Sequence, residues 1–190
     1  TTVFMFLFGI NFSCYYLILL KQIRGVFKDE ELRWYFGIAI TAMVLITLNI
    51  FRMYDTMGES IRHAAFQVSS IMTTTGFATT DFDQWPSLAK AILLVLMFIG
   101  ACAGSTGGGL KVSRVIILFR SAKRQLTKLL HPRSVGSVKF EGKALDNDTL
   151  SSTKNYFAIY MFSFFIMFLL ISFEPFDMET NFSAVAACFN

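Results

Sequence analysis

His63-Ala-Ala-Phe-Gln-Val-Ser-Ser-Ile-Met-Thr-Thr-Thr-Gly-Phe-Ala-Thr-Thr80 is the stretch on which the fold turns. It carries no charge at neutral pH, begins apolar and ends rich in Ser and Thr, so it is too polar for a comfortable lipid-facing span. The question it poses is whether the chain crosses a membrane here or dips in and returns.

Composition places the surrounding chain in lipid. Of its 190 residues 54% are apolar, 22 are Phe and only 16% are charged, whereas a soluble domain needs a more polar surface. Four uncharged runs, Thr1 to Leu20, Trp34 to Phe51, Ala91 to Leu110 and Asn155 to Phe173, each approach the ~20 residues that span hydrocarbon as a helix. Four membrane-crossing elements are therefore expected. The first run has no basic amino-terminal flank and no small-residue cleavage site, so it does not read as a signal peptide, and the sequence reads as an internal fragment.

Basic residues set the orientation, because Lys and Arg near span ends stay on the cytoplasmic side. Lys21, Arg24, Lys28 and Arg33 lie after the first run, and ten more lie between Lys111 and Lys154. Both segments are expected to be cytoplasmic, which accounts for the net charge of +4 without a nucleic-acid partner. The stretch between the second and third runs has Arg52, Arg62 and Lys90 against Asp55, Glu59, Asp81 and Asp83, and Glu174, Asp177 and Glu179 follow the fourth run. Those regions face out. Residues 52 to 87 then begin and end on one side, which predicts a pore helix over about Ser60 to Met72 followed by an extended ascending limb. Irregular backbone at membrane depth is tolerated only where protein buries it or water lines it.

In such a limb Gly76 adopts backbone angles closed to other residues. The carbonyls of Thr74, Thr75, Gly76 and Phe77 are then positioned to replace the water around a cation. A Ser/Thr-rich interfacial turn without a ligand has the same composition and is the bland alternative.

The second unusual feature is Gly100-Ala-Cys-Ala-Gly-Ser-Thr-Gly-Gly-Gly109, followed by Leu110 and Lys111. It interrupts an otherwise helical segment from Leu88 to about Leu130 that would measure ~64 Å as one helix, twice the hydrocarbon thickness. The break falls near mid-bilayer, where an irregular loop needs an aqueous or protein lining. A close-packing glycine site explains the same residues. A phosphate-binding loop does not, since Leu110 separates the glycines from Lys111 and no strand precedes them. Ser105 as the nucleophile of an intramembrane protease would need a general base at that depth, and His63 sits near the outer end of the pore helix.

Cys14, Cys102 and Cys188 lie far apart and read as packing residues, and His63 and His131 have no partner at ligand spacing. No covalently bound cofactor is expected. Shifting the chain by 117 residues lays Trp34 to Phe51 on Ser151 to Phe168 and Thr73 on Asn190, so Phe182 to Phe189 reads as the start of a second pore helix.

Ser69-Ser-Ile-Met-Thr-Thr-Thr-Gly-Phe-Ala78 together with Gly100 to Lys111 resembles the Trk/Ktr/HKT superfamily of cation transporters, and within it the bacterial Trk potassium-uptake membrane subunits. The resemblance implies an all-α membrane protein of potassium-channel-like helix, pore-loop, helix repeats with a re-entrant filter and a broken inner helix. It implies that residues 1–20 end the inner helix of a second repeat, with Gly9-Ile-Asn-Phe12 at a glycine-containing site, and that 21–32 form a cytoplasmic linker. Residues 33–130 are then a third repeat, with outer helix 33–51, pore helix about 60–72, filter 73–78 and broken inner helix 88–130. Residues 131–154 are a cytoplasmic linker with a hairpin over Ser134 to Phe140 and Glu141-Gly-Lys143, and 155–190 begin a fourth repeat.

In that family Gly76 is the filter glycine, potassium binds at carbonyls corresponding to Thr74, Thr75 and Gly76, and the segment Gly100, Ala101, Cys102, Ala103, Gly104, Ser105, Thr106, Gly107, Gly108 and Gly109 obstructs the pore, with Lys111 setting it. Also implied are potassium uptake, with rubidium and sodium as further candidate permeant ions, a homodimer in the bacterial inner membrane, and a cytoplasmic nucleotide-binding regulatory ring, TrkA. The basic segment with Arg120, Lys123, Arg124 and Lys128 reads equally as an interfacial anchor. A sodium-coupled or sodium-permeable transporter of the same superfamily and a non-transporting membrane subunit remain as alternatives.

Overall fold

The computed structural model describes residues 1–131 and 136–190, which fall into two compact units: residues 1–112 with 186–188 and 190, and residues 113–185 with 189.

The first unit is built on α4, Glu30–Ile50. Its start is set by Asp29, whose carboxylate accepts the Leu32 amide at 2.9 Å, and by two acids in the first turn that complement the positive end of the helix dipole. The helix therefore opens ahead of the expected residue 33, and the linker before it is itself partly helical as α3, Ile23–Lys28. Tyr35, Ala39, Ala42, Ile46 and Ile50 recur every three or four residues and form one buried face. Against it pack α5, Met57–Met72, and α6, Ser87–Phe98. The buried face of α5 is made largely of small residues, Ser60, Ala64, Ser69 and Ser70, which let helices approach closely.

The first apolar run differs from the expected continuous helix. It forms α1, Thr2–Phe8, and α2, Phe12–Leu19, bent by 92° at Gly9 to Asn11. Asn11 caps α2 by accepting the Ser13 amide at 2.9 Å, while Gly9 passes so close to the Tyr35 hydroxyl that a side chain there would collide with it. Tyr35 is fully buried and donates to the Phe6 carbonyl at 3.2 Å, which ties α1 to α4.

The third run is also interrupted. Helix α6 ends at Phe98, and α7, Val112–Leu130, resumes after the glycine-rich loop. Among the described residues two helical stretches, Glu30–Met53 and Asn147–Ile171, are long and apolar enough to cross a membrane, and the bent α1–α2 pair makes a third if it counts as one span. The bend at Gly9 to Asn11 divides the first of the four runs, and the loop at Gly100 to Gly109 divides the third, at the expected break.

The second unit contains most of α7, a two-stranded antiparallel hairpin of β1, Lys139–Phe140, and β2, Lys143–Ala144, then α8, Asn147–Ile171, and most of α9, Met178–Phe189. Glu141 and Gly142 turn the hairpin with positive φ of 51° and 76°. The part of the expected hairpin at Ser134 and Val135, like the Pro132-Arg133 step, lies outside the described residues. Ile117, Val138 and Leu150 form a small core, and Arg114 lies 4.1 Å from the centre of the Tyr156 ring. Helix α8 starts at Asn147, earlier than the expected Asn155, because Asp146 caps it and Leu150 has that core to pack into. Phe164 and Phe168 of α8 meet Phe182 of α9 edge to face at 5.2 and 5.7 Å.

Candidate cation pathway: the Thr-Gly limb and the glycine-rich loop

Helix α5 ends in a cluster of hydroxyls. Thr73 donates its hydroxyl to the Ser69 carbonyl at 2.6 Å and lies 2.8 Å from the Thr75 hydroxyl. The Thr75 and Gly76 amides both reach back to the Ser70 carbonyl, at 2.9 and 3.4 Å. Thr74 and Gly76 take positive φ of 54° and 78°, so the chain leaves the helix in a tight reversal. For Gly76 that conformation carries no steric cost, while for Thr74 it is strained.

Beyond the reversal the chain runs back along α5 toward its amino end. Ser70 donates to the Phe77 carbonyl at 2.6 Å, the His63 imidazole lies 3.2 Å from the Thr79 hydroxyl, and Tyr54 lies 3.3 Å from the Thr80 hydroxyl. Tyr54 in turn accepts from the Trp85 indole at 3.1 Å and stacks on His63. An aromatic and hydroxyl network thus fixes the far end of the limb. Residues 75 to 79 are exposed, and among the described residues the carbonyls of Thr74, Thr75 and Gly76 accept no hydrogen bond, whereas that of Phe77 is already engaged by Ser70.

The glycine-rich loop is closed at its base. The Gly100 amide donates to the Leu110 carbonyl at 2.8 Å and the Val112 amide to the Ala101 carbonyl at 3.2 Å, so the strands entering and leaving the loop run side by side. A Cβ on Gly100 would collide with the Gly108 carbonyl, which is why glycine is required there. Lys111 donates its ammonium to the Gly107 carbonyl, and the Ser105 hydroxyl donates to the Cys102 carbonyl at 2.6 Å. Ser105 therefore faces its own loop, and His63 bonds Thr79, so the two do not make a nucleophile and base.

The loop also satisfies the broken backbone of the first run. The Cys102 amide donates to Gly9 at 3.0 Å, the Phe12 amide to Gly104 at 3.1 Å, and the Thr106 hydroxyl to Phe8 at 3.3 Å. Two helix breaks thus complete each other's hydrogen bonding, as buried polar backbone requires. On its other side the Gly108 amide donates to the Thr74 hydroxyl at 2.9 Å, and Gly108 and Gly109 lie against Asn190. Asn190 donates to the carbonyls of Met97 and Ala186.

The structure brings Thr74 and Gly108 together, two residues picked out from separate motifs. Sequence reasoning missed Glu31, which accepts the Ala103 amide at 2.8 Å, as well as Tyr35 and Asn11. Asn11 had a signal, an amide inside an apolar run. Glu31 had none, since Asp29-Glu30-Glu31 reads as an ordinary helix start.

The sequence model of the TrkH family, described as "Cation transport protein", matches residues 1–190. The Trk system potassium uptake protein TrkH of Salmonella typhimurium is 35% identical over 191 residues, covering 99% of this chain and 40% of the relative. The Trk system potassium uptake protein TrkG of Escherichia coli is 34% identical over 190 residues, covering 98% of this chain and 39% of that protein. The crystal structure of the potassium transporter TrkH from Vibrio parahaemolyticus superposes with a TM-score of 0.89 at 34% identity, over 98% of this chain and 41% of that one. The chain therefore spans about two fifths of the length of the relatives it matches. These relatives are transport proteins, not enzymes, and the protease reading of Ser105 falls with that.

Proposed function

The chain belongs to the TrkH family of cation transport proteins, and on that premise we propose that it forms part of a potassium uptake pathway, with the Thr74 to Phe77 limb as a carbonyl selectivity filter and the Gly100 to Gly109 loop as its gate. The observation that carries the reading is the backbone after α5: three successive carbonyls, of Thr74, Thr75 and Gly76, accept no hydrogen bond among the described residues and directly follow a helix carboxyl end. Unpaired carbonyls can take the place of potassium's hydration shell. The negative end of the α5 dipole favours a cation at the same spot.

The gate assignment is supported by the seating of the loop against that limb through Gly108 and Thr74, and by the Lys111 ammonium that braces it. A loop tied mostly by neutral hydrogen bonds of about 1 kcal/mol each, with charge-assisted ones at Lys111 and Glu31, can be displaced without unfolding its flanking helices. The protein containing this chain acts as a multi-pass homodimer in the bacterial cytoplasmic membrane. Its basic segments, residues 21–33 and 111–154, lie on the cytoplasmic side, where the nucleotide-binding TrkA ring docks. The lopsided distribution of Lys and Arg supports that orientation. Rubidium follows potassium through the filter, and sodium is discriminated against.

The test is rubidium and sodium uptake into vesicles holding the full-length protein, as wild type, as Gly76→Ser and with Ser105 to Gly107 deleted. A side chain at φ 78° strains the filter backbone, so Gly76→Ser lets sodium compete, and the deletion raises flux. If neither change alters flux or its selectivity, the limb is scaffold and the reading fails.

A further inference from the structure

Glu31 is 3% exposed, sits in the first turn of α4, and accepts the amide of Ala103 in the glycine-rich loop at 2.8 Å. Burying a carboxylate is costly unless it is bonded, so its placement needs a reason. Its charge at the start of α4 is not reason enough, because Asp29 already bonds the Leu32 amide and Glu30 also supplies charge to the first turn. The neighbouring ties between this part of the loop and the α1–α2 bend, Cys102 to Gly9, Phe12 to Gly104 and Thr106 to Phe8, are all between neutral groups. The Glu31 bond is charge-assisted and so about twice as strong as each of those. It also comes from a different helix, so it anchors the loop to the core of the first unit and not to the bend alone.

We propose that Glu31 is the latch of the glycine-rich loop: a positioning residue whose buried carboxylate holds the Ala103 turn in place and so sets how often the loop leaves its seat. The consequence for flux rests on the gate reading above, but the latch itself does not, and the two are separable by experiment. Cys102 supplies the probe, since it neighbours Ala103 and is fully buried while the loop is seated.

The experiment uses the full-length protein with Cys102 as its sole cysteine, and measures both rubidium uptake and the rate at which a membrane-impermeant thiol reagent modifies Cys102. Three variants break the bond to different degrees: Glu31→Gln keeps an acceptor without charge, Glu31→Ala removes the acceptor, and Ala103→Pro removes the donor without touching Glu31. Modification is expected to rise on the order of tenfold in Glu31→Ala and Ala103→Pro and less in Glu31→Gln, the double variant being no faster than the faster single one. A merely structural loss would lower yield and melting temperature without this ordering. If Glu31→Ala does not accumulate, Ala103→Pro and Glu31→Gln decide the matter. Unchanged Cys102 reactivity in the variants that accumulate overturns the latch. A rise in reactivity with no effect of the Ser105 to Gly107 deletion on flux leaves the latch standing and overturns the gate.

Discussion

The amide of Gly108 donates to the hydroxyl of Thr74 at 2.9 Å, across 34 residues of sequence. This bond joins the glycine-rich loop to the first residue of the limb that adopts a left-handed backbone, at φ 54°. A shift of the loop and a change at the start of the limb are thereby coupled through one side chain. The coupling lies in the hydroxyl of Thr74, while the ligand proposed for the ion is its carbonyl, so the two roles can be separated by substitution.

Thr74→Val keeps the shape of the side chain and removes the acceptor for Gly108. Leaving that part-buried amide unpaired costs about 1–3 kcal/mol, taken from the seated loop. Rubidium uptake by the full-length variant is expected to rise several-fold with an unchanged rubidium-to-sodium ratio. A changed ratio without increased flux would place selectivity on side chains instead of carbonyls, as in a sodium-coupled transporter.

Gly9→Ala forces a methyl group into the Tyr35 hydroxyl. Overpacking of this kind typically costs about 1–3 kcal/mol, so the melting temperature of the detergent-solubilised protein should fall. Adding Tyr35→Phe removes the atom nearest the new methyl and should restore part of the loss, although it also gives up the bond to Phe6 at 3.2 Å. An undiminished melting temperature for Gly9→Ala would mean that the bend is looser than its geometry.

Gln67 is 1% exposed on α5, and its amide nitrogen has no hydrogen-bond partner among the described residues. A buried donor left unpaired costs about 1–3 kcal/mol. Gln67→Met, which matches its length and flexibility without a polar nitrogen, should therefore raise thermal stability while leaving rubidium uptake within twofold of wild type. A drop in stability would reveal a role for the amide carbonyl that outweighs the orphaned nitrogen.

Asp177 caps the start of α9, accepting the Thr180 hydroxyl at 2.6 Å and its amide at 3.3 Å. The Thr180 hydroxyl and amide hold its carboxyl below the usual aspartate range. Because the folded state has the lower pKa, this support is present above the unfolded value of about 4 and is lost as pH falls through the folded one. Hydrogen exchange at Thr180 and Asn181 should accelerate relative to the rest of α9 on acidification through that window. In Asp177→Asn the excess should vanish, and an unaltered pH profile there would exclude the carboxylate as its source.

The sequence by itself determined the features that local chemistry controls. The lipid-compatible composition, the apolar faces at helical spacing, the glycine-dense break between α6 and α7 and the Thr-Gly reversal after α5 all follow from preferences acting within a few residues. Local rules were weaker at boundaries, where Asp29 and Asp146 start helices ahead of the apolar runs they serve. They failed at Gly9 to Asn11, since one glycine and one amide in an apolar run do not distinguish a straight helix from one bent by 92°. Only the tertiary structure decided that the bend fits around Tyr35, that its freed backbone groups pair with the glycine-rich loop, that Thr74 meets Gly108, and that Glu31 reaches Ala103 across 72 residues. Those pairings arise from packing α4, α5 and the two broken segments against one another, where each buried polar group must find a partner wherever in the chain it lies, and no short-range preference encodes which partner that is.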